Sequence, residues 1–419
     1  MKANKMEEPT AEETKMEEKR LKNLQGKAFD RIDREFEELL TVRDKIYENP
    51  EIGGTEKFAS QLLIKKLREA GFSIEEFYGG VSHAFKAVFD TGKAGTVIGI
   101  FAEYDALPEI GHGCGHNLIA ATSLGAALGL SEVAEEAGGK IIVFGTPGEE
   151  NLQSKTPMSA AGAFDEADVA LMAHPNPVTY SSGKTLAIES LMIEFFGKSA
   201  HAGVSPEKGR NALDAAVQCY QLIHFEKQYY SDTNVYGIIK EGGQKASVIP
   251  GYARLQFLTR AWSMKELNSL REMIERCAKG AAVATGCTYK ISNNEETNQP
   301  MLTNRHLADV FDRYLVALGE TNIIKEDMRG STDMADVSWR IPAIHPWVGI
   351  NCPDYVLHSS EFAEKTVSRE GNLFILRCSK ALAATAIELI TDKNLLTVVK
   401  EEFAQAVKPA VVRKIRCNR

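Results

Sequence analysis

His112, Cys114 and His116 stand at every second position of the stretch from Phe101 to Leu130, FAEYDALPEIGHGCGHNLIAATSLGAALGL, shortly after the acidic residues Glu103 and Asp105. Alternate side chains of an extended backbone face the same way, and glycines between them can hold the chain open. Two imidazoles and a thiolate aimed at one point make a metal site. Any one of the three alone reads equally well as a packing or capping residue at a glycine-rich turn, so the question turns on further ligands.

The chain supplies them. Glu149 and Glu150 close the segment KIIVFGTPGEEN, His174 closes DVALMAHP, and His358 follows much later. Cys114, His116, Glu150, His174 and His358 combine thiolate, imidazole and carboxylate, a set that suits Zn²⁺ first and Mn²⁺ or Co²⁺ as alternatives. Five ligands exceed what one tetrahedral ion takes, so two divalent ions sharing a ligand is the natural count. Such a pair lowers the pKa of bound water from roughly 15.7 towards about 7 and polarises a carbonyl, and a coordinating ion would hold Cys114 as the thiolate. Adjacent residues on regular strand point apart, so Glu149 and Glu150 need a turn after Gly148 to reach one site. One would then bind metal while the other moves a proton from water to a leaving amine. Position alone does not say which.

These residues need a scaffold. Residues 1–25, rich in Lys and Glu, read as a flexible lead-in, a frayed or solvated helix. Apolar residues at helical spacing follow from Phe29 to Ile46, then a second helix, FASQLLIKKLREAGF. The runs AGTVIGIFAEYD, KIIVFGTPGEEN and DVALMAHP read as successive strands of a mainly parallel sheet with flanking helices, each ending in candidate ligands or acid/base groups, as open α/β sheets place them. Residues 187–299 read as an inserted α+β unit of order βαββαβ, two helices on a four-stranded antiparallel sheet. Residues 26–186 and 300–419 then form the catalytic domain around it.

Composition narrows the function. With 419 residues, 44% hydrophobic and 25% charged, the chain can bury the cores of two domains. A net charge of −8 argues against a nucleic-acid surface. No run of about twenty apolar residues stands out to cross a membrane, and MKANKMEEPTAEETKMEEKR lacks the apolar core of a secretory signal. A cytoplasmic protein is expected. The seven cysteines have no paired short spacing, which fits neither a disulfide framework nor a zinc ribbon.

The sequences GHGCGHN, GTPGEEN, MAHP, SAHAGVSPEKGRNALDA, EGGQKASVIP, GSTDMADVS and HSSEF, in this order, resemble metallopeptidase family twenty, the aminoacylase and carnosinase-like amidohydrolases. Within it the chain is most similar to the Cys-Gly-His branch of β-alanyl-lysine (Xaa-Arg) dipeptidases and aminobenzoyl-glutamate hydrolases. The resemblance implies a dinuclear catalytic domain with an inserted lid or dimerisation domain, and a homodimer formed through it. It makes Cys114, His116, Glu150, His174 and His358 the metal ligands, Glu149 the general base and Asp105 the acid that orients a ligand. His201, in SAHAG, matches the histidine that stabilises an oxyanion, often in the partner subunit's site. His112 precedes the family motif and reads as packing, as does His345 beside Pro346. Ser247 stands where relatives commonly carry Asn, and Gly251 where they carry a polar residue, which bears on substrate class. Arg260 could pair with a substrate carboxylate. The expected activity is hydrolysis of the C–N amide bond of a dipeptide or N-acyl amino acid. The alternatives are an amidohydrolase of an aromatic conjugate, such as aminobenzoyl-glutamate, and a non-catalytic protein stabilised by metal.

Overall fold

The computed structural model describes residues 11–417. In chain order the elements are α1 (Ala11–Arg34), α2 (Phe36–Glu48), α3 (Lys57–Glu69), β1 (Ser73–Glu76), β2 (Phe85–Asp90), β3 (Val97–Ala102), α4 (His116–Ala137), β4 (Lys140–Gly145), α5 (Lys155–Ala160), β5 (Val169–Leu171) and β6 (His174–Asn176). Then come β7 (Ala187–Phe196), β8 (Ala200–His201), α6 (Ala212–Glu226), β9 (Asn234–Glu241), β10 (Val248–Ile249), β11 (Tyr252–Ala261), α7 (Met264–Thr285) and β12 (Thr288–Asn293). The chain closes with α8 (Arg305–Ala317), α9 (Met334–Ser338), β13 (Ala343–Ile344), β14 (Trp347–Gly349), α10 (Ser360–Thr366), α11 (Arg369–Thr391) and α12 (Lys393–Cys417). Two compact units result, one from residues up to 183 with 302–326 and 337 onward, the other from 184–301 with 327–336.

In the first unit a six-stranded sheet has the order β1-β2-β4-β3-β5-β13. The strands β4, β3, β5 and β13 run parallel, and β2 and β1 continue the sheet antiparallel. β3 and β4 are buried along almost their whole length, which is why they read as unbroken apolar runs: helices cover both faces of a parallel sheet. α4 is buried on nearly all sides. Its Ala, Gly and Ser residues let neighbouring helices come close, and Ser379 of α11 donates its hydroxyl to the Thr122 carbonyl at 3.0 Å.

Three expectations change. Residues 11–25 are helical, as the lead-in reading had them, but run on without a break into the following helix as α1, with Leu24 packed inside; the first ten residues lie outside the described range. Leu24, Ala28 and Ile32 are fully buried, because an apolar stripe at helical spacing runs back into the charged segment. Second, α4 is long and apolar enough by composition to cross a membrane, although no such run stood out in the sequence. Its apolar window is 89% buried in the protein, so α4 is a core helix.

Third, DVALMAHP and AIHPWVGI are each two short strands. β5 pairs with β13 in the main sheet (Ala170↔Ala343, Leu171↔Ile344), and β6 pairs with β14 in a separate parallel ribbon (His174↔Trp347). Both chains break over two residues at the same level. Pro346 lacks the N–H that a continuous ladder would need, and its carbonyl instead accepts from His174 N–H at 2.9 Å. The break carries His174 out of the main sheet.

The second unit has an antiparallel sheet of order β12-β7-β11-β9. β11 alternates buried and half-buried residues over its ten positions. Leu255 and Phe257 with Leu191, Ile193 and Phe195 of β7 make a core with Cys219 and Ile223 of α6 and Leu270 and Ile274 of α7. Asn211 caps α6 by accepting from Leu213 N–H (3.0 Å), and Ser263 caps α7 by accepting from Glu266 N–H (3.2 Å). The small ribbon β8–β10 pairs His201 with Val248.

Candidate metal centre

The site forms where β3 and β4 end and β6 begins. β3 leads into Glu103 and Asp105, and the loop after it runs through Cys114 to the start of α4 at His116. Gly115 makes that entry possible. Its φ is +83°, and a Cβ there would lie 2.5 Å from Pro175 Cγ, so both conformation and space call for glycine. After β4, Gly148 at φ +68° starts the turn that carries Glu149 and Glu150 to the same sheet edge. His358 arrives on a loop of its own, at φ +65°, and its N–H donates to the Gly113 carbonyl at 2.9 Å. A non-glycine residue held in the left-handed region at such a site is strain the surroundings sustain.

Two groups of potential ligands share Cys114. The ligand atoms of Cys114, His116 and His174 lie within 4.8 Å of one another, and so do those of Cys114, Glu150 and His358. A third group at the same spacing joins His116, Glu149 and Glu150. Thus Cys114, His116, Glu149, Glu150, His174 and His358 converge. Cys114 Sγ is 3.5 Å from His174 Nε2, and Glu150 Oε1 is 3.4 Å from His358 Nε2.

In His116 and His174 the imidazole nitrogen turned towards the centre is left available by the bond its partner nitrogen makes. His116 Nδ1 donates to Asp105 Oδ1 at 2.8 Å, and His174 Nδ1 donates to the Pro175 carbonyl at 2.7 Å. Such second bonds fix the tautomer of a ligating histidine. Asp105 Oδ2 also accepts from Glu150 N–H at 3.0 Å, tying the ligand loop to the same carboxylate.

The electrostatics ask for a cation. Burial alone would depress His116, but the charges of Asp105 and Cys114 outweigh it and hold its pKa well above the usual value. His174 is pushed well below the usual value by burial and then by His345 and His116, which leaves it the neutral imidazole that binds metal. Burial and then the charge of Glu150 push the Cys114 thiol up, so a thiolate there needs a positive ion beside it. Glu150 and Asp105 stay below the usual carboxylate range despite burial, Glu150 through His358 and His116 and Asp105 chiefly through His116. His116 Nε2 and Glu150 Oε1 are buried and have no hydrogen-bond partner. Soft and hard donors with orphaned atoms facing one another fit a pair of divalent ions.

His112 lies outside this group, its Nε2 at 3.0 Å from the Ile46 carbonyl, and burial lowers it to about 4. His345 packs against both His174 and Trp347, with ring centroids 5.3 and 4.7 Å away. Two further residues at the site were not assigned a role from sequence, Glu103 and Lys155. Both are fully buried, with Lys155 Nζ 2.6 Å from Glu103 Oε1. A lone lysine in NLQSKTP reads as solvated; the available signal was the acid at the buried end of β3, which needs a counter-charge.

The other expected residues lie in the second unit. His201 is exposed, and its Nδ1 accepts from Gly203 N–H at 3.2 Å, which leaves Nε2 to carry the proton. Ser247 stands beside it, its carbonyl accepting from Ala202 N–H at 3.0 Å. Arg260 is not with them. It sits near the end of β11 away from Tyr252, on the order of 27 Å along the strand at about 3.4 Å per residue. Its Nη1 donates to the Arg329 carbonyl at 3.4 Å, and its buried Nε has no partner.

Residues 188–285 match the peptidase dimerisation domain family. The chain is 36% identical over 402 residues to the Xaa-Arg dipeptidase of Mus musculus, covering 91% of this chain and 93% of that protein. It is 27% identical to one of the p-aminobenzoyl-glutamate hydrolase subunits of Escherichia coli, covering 90% of this chain and 94% of that one. Among solved structures, a dinuclear metal binding peptidase from the M20 family of Bacillus subtilis superposes with a TM-score of 0.62 at 19% identity, over 85% of this chain and 99% of that chain. With so close a relative matched along nearly its whole length, the chain belongs to metallopeptidase family twenty and is an amide-bond hydrolase.

Proposed function

We propose that the protein cleaves the C–N amide bond of a dipeptide or N-acyl amino acid at a two-ion centre. Cys114 would be shared, with His116 and His174 completing one position and Glu150 and His358 the other. The observation that carries this is the presence of Cys114 in both ligand groups. Zn²⁺ is the favoured ion, because thiolate and imidazole predominate, with Mn²⁺ or Co²⁺ as alternatives. Two bound ions supply a Lewis acid for the carbonyl and water made acidic enough to attack.

The protein's own groups do the rest. Asp105 holds His116 in the ligating tautomer and, through Glu150 N–H, sets the approach of the Glu150 loop. Glu149, grouped with His116 and Glu150, takes the proton from the attacking water and returns it to the leaving amine. His201 presents Nε2–H as an oxyanion donor, a role that contributes about 2.7–4 kcal/mol where such a donor is preorganised. Arg260, with its unpartnered Nε, would pair with a substrate carboxylate in its own chain's site, while His201 and the Ser247 beside it, on the order of 27 Å away along β11, would serve the site of a second subunit.

The mouse relative's name places an arginine after the scissile bond, and the bacterial relative's name an aminobenzoyl-glutamate amide. Both carry an amino acid as the leaving amine. The higher identity favours a dipeptide here, with an aromatic conjugate as the second reading. The decisive experiment is Glu149→Gln: turnover of a dipeptide and acyl-amino-acid panel should fall at least a thousandfold while metal content stays at two ions per chain. Retained turnover would remove Glu149 from its role.

The inserted unit, residues 187–299, would serve as lid and dimerisation domain. Its support is the family match together with β9, an edge strand with exposed Tyr236, Ile238 and Ile239, and Phe225 of α6, 63% exposed. An uncovered apolar edge invites pairing. Sedimentation at micromolar concentration should give the mass of a homodimer; a monomer there would reject it. A reducing, cytoplasmic location agrees with six described cysteines that are all free, and fractionation of the source cells tests it.

A further inference from the structure

Glu103 and Lys155 stand apart from the ligand set, and both are wholly buried. An ion pair explains one half of their arrangement: Lys155 Nζ lies 2.6 Å from Glu103 Oε1, close by distance though not aligned as a directed hydrogen bond. It leaves the other half unexplained. Glu103 Oε2 faces His116 Nε2 at 3.6 Å, and neither atom has a hydrogen-bond partner. Nδ1 is engaged by Asp105, so Nε2 is the nitrogen that faces the carboxylate oxygen in a site closed to water, at a distance too long for a direct hydrogen bond, and as a metal ligand it presents a lone pair there. Two such acceptors repel unless a cation lies between them.

The separation has a meaning for a metal. Ligand atoms about 2.0–2.2 Å from one ion, spread at tetrahedral or wider angles, stand roughly 3.3–3.8 Å apart. The distance between Glu103 Oε2 and His116 Nε2 falls in that interval.

We propose that Glu103 supplies an additional oxygen ligand to the ion held by Cys114, His116 and His174, and that Lys155 is a positioning residue fixing the carboxylate by its other oxygen. The inference rests on the two-ion reading above and deepens it. It makes the two positions chemically unequal. The ion of Glu150 and His358 has a half-exposed ligand, since His358 is 52% accessible. The other would be enclosed entirely by buried donors and gain a hard oxygen as its fourth protein ligand, so that with the attacking water counted it would be five-coordinate, which turns its preference from Zn²⁺ towards Mn²⁺ or Co²⁺. Lys155 offsets the added negative charge, so the enclosed ion is held without a surplus of anions around it.

The test loads the whole protein with Co²⁺, whose visible absorption is several-fold stronger when four-coordinate than when five- or six-coordinate. The wild-type protein should bind two ions and show one in the weak-absorbing class. Glu103→Gln, which keeps the shape, should convert that ion to the strong-absorbing class and weaken its binding about tenfold. Two bound ions with spectrum and affinity unchanged in Glu103→Gln would overturn the proposal. So would a wild-type spectrum of two four-coordinate ions. A wild-type protein that binds no cobalt would overturn the two-ion reading and this proposal with it. Lys155→Met gives a second readout that does not depend on the first variant. With the lysine gone the ion becomes the remaining counter-charge to Glu103, so the rise in melting temperature on adding metal should exceed the wild-type rise. An equal rise would mean that Glu103 does not sense the ion.

Discussion

At the scale of single residues, charge is held in the interior wherever a named neighbour balances it. Glu56 shows the cost when the balance is incomplete. Burial, with a smaller contribution from the charge of Asp105, raises it to about 7 against opposing backbone N–H bonds. Between about pH 4.5 and 7 the folded state therefore keeps a proton that the unfolded chain has released, so stability falls as pH rises through this window and levels off above it. A shift from 4.5 to about 7 corresponds to about 3 kcal/mol at 1.36 kcal/mol per unit. Glu56→Gln, whose amide oxygen can still accept from Gly54 N–H, should lose that component. Urea unfolding of both proteins at pH 5 and pH 8 checks it: the variant should gain up to about 3 kcal/mol relative to wild type at the higher pH, and parallel pH profiles would refute it. The same scale shows what a sequence conveys. Cys114, His116, Glu150, His174 and His358 could be picked out as candidates because potential metal ligands are rare residue types at marked positions, and the structure brings their ligand atoms together. Lys155 was not, because nothing local distinguishes a buried lysine from a solvated one; its meaning comes from Glu103, distant in sequence and adjacent in space.

At the scale of elements, most helices and strands were legible from their apolar spacing, and the failures share a cause. β5 and β6 read as one strand because local propensity runs unbroken through DVALMAHP; the break is imposed by what each half pairs with, and only Pro346 on the neighbouring strand hinted at it. α1 was read too short because Leu24, Ala28 and Ile32 are sparse among lysines and glutamates, and their partners in α4 and α11 lie far along the chain. The packing makes a definite demand. Leu24 is fully buried, so Leu24→Ala should destabilise the protein by about 2–5 kcal/mol, read as a lower denaturant midpoint at an unchanged slope. A change within about 0.5 kcal/mol would return this segment to a solvated lead-in.

At the scale of the whole molecule, the two units have separate cores and the ligand set belongs to one of them. Removing metal should therefore act unequally. Calorimetry of the loaded protein and after chelation should show one transition moving down and the other holding its position. An ion at about a thousand times its dissociation constant contributes about 4 kcal/mol to the unit that binds it. Two transitions shifting together would contradict a site confined to the first unit.

The first unit is also discontinuous in the chain, its halves flanking residues 184–301. Cys114 and His116 precede that insertion and His358 follows it. During synthesis at about 5–20 residues per second, roughly tens of seconds separate the emergence of the thiol from that of the final imidazole. For that interval the nascent polypeptide has emerged with Cys114 and His116 but without His358. On the proposed ligand set, a chain aborted on the ribosome before His358 would be released without hydrolytic competence, so the order in which those residues are translated would delay the chemistry until the fold is nearly whole.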